Sequence, residues 1–515
     1  MSPRKKKTVS AGKNVKEQKT GAESGSEDLL DMSQAIAMLK TTRPTFYRWL
    51  RSGKIKGMKV GRQWRFHRED IERFLRGEGP RIDLPADIDP LIGALTERIK
   101  GVGGKVEQPE ELGEVKRTVY LMIQLGYEAG ASDLHIYSHM EQRKTIPSVT
   151  LRCRIDGVLH HFADIDPRLL PALIEEWKRM SACDVHEKSK PQVGRASLKL
   201  SQLNDGYEDA VIDLRTSFLP TGLGESLTAR ILSSNAATFS LAGTEMDPEN
   251  QEKLLRGMRS PCGVVIITGP TGCGKTTTIY GCLNEIAGPS LKIMTVEDPI
   301  EYFLPWAIQS AVNEGKGMTF RQAIVAMLRS DPDVIMIGEI RSADILGLVQ
   351  SAALTGHLVV TNLHTQDAAS GLTRMVDIGS DPFVVADTTK VIAAQRLVRK
   401  LCPECRVEDK PVRQRLEHAR ELARKGGLAW DLLDKNFYKA VGCGECAETG
   451  YKQRTVISEV LEITPEIGRA LKNKAGHDEL RTIAVGQGMI TMGADGVRLA
   501  ASGETSLDEI LRIVG

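Results

Sequence analysis

The sequence predicts an α/β protein built on a parallel sheet that cradles phosphate, and three observations predict it. Gly269-Pro-Thr-Gly-Cys-Gly-Lys-Thr276 fits the P-loop pattern G-x-x-x-x-G-K-[ST]. Its flanks agree: Gly263-Val-Val-Ile-Ile-Thr268 reads as a short buried strand, and Thr276-Thr-Thr-Ile-Tyr280 opens a helix. Three later apolar runs end in ionisable side chains. They are Lys292-Ile-Met-Thr-Val-Glu297 with Asp298 and Glu301 behind it, Asp333-Val-Ile-Met-Ile-Gly-Glu339, and Leu358-Val-Val-Thr-Asn-Leu-His364. Side chains at the carboxyl ends of such strands can converge on one crevice.

A strand, a glycine-rich turn and a helix N-terminus make an anion cradle, because successive backbone N–H groups point inward and the helix dipole adds positive potential. The expected nucleotide-binding set is Gly269, Pro270, Thr271, Gly272, Cys273, Gly274, Lys275, Thr276 and Thr277. Lys275 is expected at the β- and γ-phosphates, and the Thr276 hydroxyl on Mg²⁺. Hydrolysis further needs a carboxylate that orients water and positive charge on the transition state. Glu301 is the candidate general base and Glu339 the candidate Mg²⁺/water carboxylate, with the two roles exchangeable. Gly338 occupies the place where an Asp usually ends the second acidic strand. His364, with His357 seven residues earlier, is a candidate for a γ-phosphate or subunit contact; an ordinary structural hydrogen bond is the alternative.

The remaining elements follow in chain order. Residues 1–28 are rich in Lys, Ser and Gly and are expected to be a disordered basic tail. Residues 29–77 read as a small winged helix-turn-helix unit. Ser33 is placed to cap a first helix, Thr42-Arg-Pro-Thr45 turns into a second that stops at Gly53, and Lys59–Phe66 forms a hairpin turning at Gly61-Arg62. Arg68–Leu75 is the closing helix. The unit resembles the excisionase and MerR-like DNA-binding module. The resemblance implies that Thr45, Tyr47, Arg48 and Arg51 face a major groove and that Arg62 and Arg65 on the wing meet phosphate or a minor groove. The same small domain reused for protein contacts is the alternative. Phe46, Trp49, Trp64 and Phe66 are expected to be its core. Residues 78–112 read as a linker around one short helix at about 88–100. A mixed α+β segment runs over 113–240, with a helix from Val115 to Glu128 and strands near 130–136, 151–159, 211–217 and 226–232. The P-loop domain is placed at 241–400, a cysteine module at 401–450 and a helical region at 451–515.

The 515 residues carry 69 Lys+Arg and 67 Asp+Glu, and the near-neutral total hides an asymmetry. Residues 31–76 hold twelve Lys/Arg against four Asp/Glu, whereas residues 77–515 are net acidic. A basic head on an acidic body points to a separate partner for the head. No uncharged apolar run approaches the roughly 20 residues of a membrane span, and the basic N-terminus lacks the apolar segment of a signal peptide. The expected location is cytoplasmic, peripheral to the inner membrane through partners.

Of nine cysteines, Cys402-Pro-Glu-Cys405 and Cys443-Gly-Glu-Cys446 form two CxxC pairs 37 residues apart. Four thiolates at that spacing suit a structural, fully ligated Zn²⁺. Cys153, Cys183, Cys262, Cys273 and Cys282 lack ligand spacing and read as small buried hydrophobes.

Taken in order, the four boxes 269–276, Thr295-Val-Glu-Asp-Pro-Ile-Glu301, Asp331-Pro-Asp-Val-Ile-Met-Ile-Gly-Glu-Ile-Arg341 and Thr355-Gly-His-Leu-Val-Val-Thr-Asn-Leu-His-Thr365 resemble the ATPases of type II secretion and type IV pilus assembly. The likeness extends from about 115 to 515 and includes Ala131-Ser-Asp-Leu-His135, Arg154-Ile-Asp-Gly157, Pro191-Gln-Val-Gly-Arg195, Asp213-Leu-Arg-Thr-Ser217 and Gln395-Arg-Leu397. It implies a RecA-like P-loop domain preceded by a PAS-like α+β domain, hexameric rings and ATP held between the two domains. It also implies that Arg195, Arg215 and Arg230 act as arginine fingers, and that an inner-membrane platform protein is a partner. Within the family the tetracysteine module marks assembly-type enzymes rather than retraction motors. Three positions depart from the family pattern: Ser342 for Asp in GEIRD, Val193 for Asp in PQDGR and Gln366 for Asn after the histidine box. None removes a phosphate ligand, but each bears on subunit coupling. The family's usual N-terminal docking domain is expected to be absent, with the basic head in its place. The expected activity is Mg²⁺-dependent ATP hydrolysis by a hexameric motor. The alternative is a DNA-binding or DNA-handling P-loop ATPase that uses the head.

Overall fold

The computed structural model describes residues 29–51, 55–61, 63–75, 84–106, 113–140, 147–199, 211–233, 240–446 and 448–514. The expected tail 1–28, Gly53, Arg62 and the Arg51 side chain lie outside the described residues.

The head comprises β1 (Leu29–Asp31), α1 (Met32–Met38), α2 (Arg43–Arg51), β2 (Met58–Val60), β3 (Gln63–His67) and α3 (Arg68–Leu75). Its three strands pair in the order β1-β3-β2. The cap of α1 is Asp31 rather than Ser33. Its carboxylate accepts from Gln34 N at 2.8 Å while the Gln34 side chain accepts from Asp31 N at 2.8 Å. This reciprocal pair satisfies two helix-terminal donors, whereas Ser33 already lies inside the first turn. Phe46 and Phe66 are buried edge to face at 5.0 Å, and Trp49 packs on Phe74 at 4.8 Å, so the aromatic set is a core.

The α+β domain follows as α4 (Leu84–Gly101), α5 (Glu114–Glu128), β4 (Asp133–His139), β5 (Ser148–Ile155), β6 (Val158–Ile165), α6 (Leu170–Met180), β7 (Gln192–Lys199), β8 (Val211–Thr221) and β9 (Gly224–Ser233). The six strands form one antiparallel sheet in the order β6-β5-β4-β9-β8-β7. The segment read as a linker holds the 18-residue α4, and it is longer and better packed than expected. Ile88, Leu91, Leu95 and Ile99 recur at helical spacing and are buried with Leu121, Leu125 and Trp177 of the same domain. Prolines at 85 and 90 masked this pattern in the sequence. Helices cover one sheet face. The other carries Asp133, His135, Arg152, Arg195, Arg215 and Arg230.

The third unit contains α7 (Pro248–Met258), β10 (Gly263–Thr268), α8 (Lys275–Ile286), β11 (Ile293–Glu297), β12 (Ala307–Ala311), α9 (Phe320–Met327), β13 (Val334–Ile337), α10 (Ala343–Leu354), β14 (Leu358–Leu363), α11 (Ala368–Asp377), α12 (Pro382–Thr388) and β15 (Thr389–Leu401). Next come β16 (Val407–Glu408), α13 (Arg413–Lys425), β17 (Tyr438–Lys439) and β18 (Tyr451–Glu462). The chain ends with α14 (Pro465–Lys472), α15 (His477–Gly486), α16 (Met492–Ala501) and α17 (Leu507–Val514). Seven strands form the sheet β12-β11-β13-β14-β10-β15-β18, parallel except for β18. Near-continuous Val/Ile runs in β10, β13 and β14 are buried on both faces, as helix-covered parallel strands require. The region expected to be helical from residue 451 instead begins with a twelve-residue strand that pairs antiparallel with β15, from Val391↔Glu462 to Leu401↔Tyr451. Its inward side chains Val456, Val460 and Leu461 belong to the sheet cores.

Candidate active site

The P-loop leaves β10 at the centre of the sheet, between β14 and β15, and feeds α8. Gly269, Gly272 and Gly274 adopt φ of +146°, +77° and +87°, a region that side chains with a Cβ resist. A Cβ on Gly269 would also lie 2.6 Å from both Cys273 Sγ and the Gln395 carbonyl. The loop is therefore tightly packed at its first glycine and ends at the α8 N-terminus, the arrangement that binds anions. Lys275 is buried there and folds back, its Nζ donating to the carbonyls of Gly269 (2.8 Å) and Pro270 (3.0 Å). Burial lowers its pKa from the ordinary lysine value.

A chain of charged groups extends from Lys275. Its Nζ lies 3.4 Å from His364 Nδ1, and His364 Nε2 lies 3.0 Å from Glu339 Oε2. The other Glu339 oxygen accepts from Arg341 Nε, and Arg341 Nη1 also reaches Asp298 at 3.2 Å. Burial works against the Glu339 carboxylate, but the bonds from Arg341 and His364 outweigh it and hold its pKa below the usual value. The structure thus brings Lys275, His364 and Glu339 together from the ends of three neighbouring strands. The sequence missed Arg341 as a partner, although its place two residues after Glu339 on the same turn was the signal.

The three carboxylates expected as one cluster separate. Glu297 is buried and bonded to Tyr280, Thr295 (2.6 Å) and Gln309 (3.1 Å), so it is a strut beneath the site. Asp298 pairs with Arg341. Glu301 faces the α+β domain, where Arg215 donates to both its oxygens at 3.0 and 2.9 Å and to the Ile300 carbonyl at 2.8 Å.

Arg195, Arg215 and Arg230 stand side by side on β7, β8 and β9, in direct cross-strand register. Adjacent like charges in a sheet are unfavourable, so the row needs anions opposite it. Arg215 has Glu301, Arg195 Nη2 reaches the Ile300 carbonyl at 3.3 Å, and Arg230 turns aside to Asp133 at 3.0 Å and remains about half exposed. Arg195 and Arg215 therefore face the ATPase domain, and Arg230 does not reach it.

The four CxxC cysteines lie far along the chain from this site but at the root of one excursion. Cys402 follows β15, and Cys443 and Cys446 precede β18. Their sulfurs all lie within 4.8 Å of one another, with Cys402–Cys443, Cys405–Cys446 and Cys443–Cys446 at 3.9, 3.8 and 3.7 Å. These spacings are too long for disulfides, and they fit a tetrahedron of Zn–S bonds of about 2.3 Å, whose edge is roughly 3.8 Å. Backbone N–H groups of Gly442, Cys443 and Gly450 point at the sulfurs of Cys405, Cys446 and Cys446 at 3.4, 3.2 and 3.1 Å, as thiolate ligands favour.

In the head, Arg43 and Arg48 are exposed on α2 without a hydrogen-bonded or ionic partner among the described residues, whereas Thr45 and Tyr47 are half-buried. Thr45 shares a 3.0 Å hydroxyl contact with Thr42. Arg65 is turned back onto Gln63 (2.7 Å) and the Trp64 carbonyl (3.2 Å).

A glycine-rich cradle on the central strand of a parallel sheet, with lysine, histidine and carboxylate at the neighbouring strand ends, defines a P-loop nucleoside triphosphatase. The family described as type II/IV secretion system protein matches residues 108–512, and a helix-turn-helix domain description matches residues 29–79. The chain belongs to that secretion family and is an ATP hydrolase of its kind. Over 383 residues it is 41% identical to the type II secretion system protein HxcR of Pseudomonas aeruginosa, covering 74% of each chain. It is 37% identical to the type IV pilus assembly ATPase TfpB of Acinetobacter baylyi, over 78% of this chain and 65% of that one. Among solved structures, the fold matches the Legionella pneumophila ATPase DotB with a TM-score of 0.56 at 19% identity, over 79% of this chain and 97% of that one. It also matches the pilus retraction motor PilT, with a TM-score of 0.52 at 23% identity, over 76% of this chain and 96% of that one.

Proposed function

We propose that the chain is the homo-hexameric, Mg²⁺-dependent motor of a type II secretion or type IV pilus (pseudopilus) assembly machine. The reading rests on one observation above all: the Lys275–His364–Glu339 chain at the strand ends of the P-loop domain, whose Ile300 and Glu301 are held by Arg195 and Arg215 of the preceding domain. The N–H groups of residues 269–277 and Lys275 would hold the phosphates. Thr276 and Glu339 would hold Mg²⁺, which when bound neutralises charge on the phosphate oxygens. Glu301 is assigned as general base and Arg215, with Arg195, as finger; Arg230 supports the row through Asp133. His364 would read the γ-phosphate end of the cradle. The tetracysteine knuckle, as a structural Zn²⁺ site, favours assembly over retraction. The partner would be a platform protein at the inner membrane, holding the chain peripherally, since among the described residues no helix is long and apolar enough to cross a bilayer. The decisive measurement is ATP turnover of the full chain with Mg²⁺ beside Lys275→Ala. Turnover in the first and none in the second is expected, and equal rates would overturn the reading.

Arg43 and Arg48, exposed and without a partner among the described residues, favour a second activity for the head, contact with duplex DNA through α2. Among the described wing residues Lys59 is exposed beside Met58 and Val60, whereas Arg65 is turned back onto its own strand. Steeply salt-dependent gel shifts that weaken in Arg43→Ala/Arg48→Ala would support this reading. Absence of any shift at low salt would leave the head as a protein-docking unit.

A further inference from the structure

Beyond the P-loop, the carboxylates and the finger row, one cation near the cradle has no assigned task. β15 runs parallel to β10 with Ala394 opposite Thr268, so Gln395 and Arg396 emerge directly beside the P-loop. Gln395 is fully buried, and its Nε2 donates to the Cys273 carbonyl at 2.7 Å. That bond holds the crest of the loop. Arg396 reaches the other way. Its Nη1 donates to the Gln395 carbonyl at 3.1 Å and its Nη2 to the Gln366 carbonyl at 2.8 Å, two residues beyond His364. A Cβ on Gly269 would come within 3.3 Å of Nη1, so the guanidinium lies against the first glycine of the P-loop.

The loop that carries His364 is also tied to the cradle by its contact with Lys275 and through Thr268. Thr365 donates its N–H to Thr268 Oγ1 at 2.9 Å, and the two hydroxyls meet at 2.8 Å. His364 itself is half exposed, so its aim depends on how the backbone around it is held. A planar fork bonded to one carbonyl on β15 and one in the loop after β14 is a rigid brace; an ammonium at the same place would be a point donor. The brace is also charged. Arg396 has no carboxylate partner among the described residues and lies close enough to Lys275 to disfavour its protonated form. An anion in the cradle would add to the compensation that Glu339 gives Lys275, which ties this brace to the loaded state.

We propose that Arg396 is a positioning residue that braces the His364 loop onto the P-loop, so that His364 meets the terminal phosphate of a bound nucleoside triphosphate. The inference rests on the ATPase reading above and is separable from it. If the unmodified chain hydrolyses no ATP, that reading fails. If it does, Arg396→Ala and Arg396→Lys test the brace alone. In both variants kcat is expected to fall about 10- to 100-fold while the Kd of a fluorescent ATP analogue changes less than about threefold, because Gln395 still holds the loop. Combining Arg396→Ala with His364→Ala is expected to cost little more than His364→Ala alone, the non-additivity of one residue acting through another. Hydrogen exchange supplies a readout apart from turnover. A non-hydrolysable ATP analogue should protect the P-loop amides in both proteins, and the amides of residues 364–367 only with Arg396 present. The proposal is overturned by kcat within twofold of the unmodified protein in Arg396→Ala, by full activity in Arg396→Lys, by additive losses in the double variant, or by equal protection of 364–367. A fall in ATP and ADP affinity together with thermal stability would also overturn it, since that marks general damage to the fold.

Discussion

Arg215 of the α+β domain grips Glu301 of the ATPase domain through both guanidinium arms, at 3.0 and 2.9 Å. The pair joins the candidate finger to the candidate base, so in this conformation each occupies the other. A carboxylate bonded by an arginine fork is a poor acceptor for a proton from water, and an arginine so engaged cannot stabilise transition-state charge. The pair would have to part for a triphosphate, with its own negative charge, to engage both groups.

Arg215→Ala is therefore expected to lower kcat by about 10³-fold or more, the range for loss of an arginine finger. Arg215→Lys should recover little, because a point charge does not reproduce the fork. Steady-state turnover alongside sizing of the oligomer checks this, and near-normal turnover in Arg215→Ala with an intact oligomer would remove the residue from the mechanism.

Glu301→Gln and Glu339→Gln should fail differently. The Glu301 carboxylate is bonded to Arg215 of the opposing domain, so its amide variant should bind MgATP within a few-fold of the unmodified protein and turn over about 10²- to 10⁴-fold more slowly. Glu339 holds both Arg341 and His364, so its variant should also lose the Mg²⁺ dependence of nucleotide affinity. Nucleotide binding with and without Mg²⁺ separates the two, and the reverse pattern would exchange their roles.

The site was legible in the sequence where chemistry coincides with local pattern. The P-loop, the Glu339 strand and the histidine strand are contiguous motifs, and their apolar runs fixed them as strands ending at one edge. What the sequence withheld depends on tertiary placement. Glu297, Asp298 and Glu301 sit within five residues, yet the turn after β11 sends one into the core and the others to different partners. The register that lines Arg195, Arg215 and Arg230 across three strands involves residues up to 35 positions apart, which no local pattern encodes. β18 was hidden because the cysteine excursion separates it from its partner β15. The order of α4 was obscured by its prolines, although its Ile/Leu spacing carried the signal.

The cysteine knuckle should hold about one zinc per chain under reducing conditions, and less than about half would exclude the assignment. Because the four sulfurs close the root of the excursion between β15 and β18, a metal bound there would contribute folding free energy outright. Cys402→Ser or a strong chelator is expected to lower the melting temperature by several degrees while leaving the P-loop chemistry intact in whatever remains folded. Elemental analysis and thermal unfolding together check this.

Glu509 predicts how the same region responds to acid. Its side chain is only 1% exposed and bonds Arg399 at 2.7 Å and Arg512 at 2.9 Å, tying α17 to the end of β15. Burial alone would raise its pKa, but the bonds from Arg512 and Arg399 prevail and hold it down to about 2, against 4.5 for an unperturbed Glu. A carboxyl depressed in the folded state binds its proton more readily when unfolded. Its stabilisation is therefore complete above pH 4.5 and drains away as pH falls from there toward 2. Glu509→Gln should destabilise the protein by about 3 kcal/mol at pH 7, since it leaves the largely buried Arg399 without its counter-charge. That deficit should shrink as pH is lowered through 4.5, because the unmodified protein is then losing the contribution the variant already lacks. Denaturant titrations of both proteins at pH 7 and pH 3.5 check the sign. A deficit that stays constant or grows on acidification would show that the pair with Arg399 and Arg512 is not what keeps this carboxylate charged.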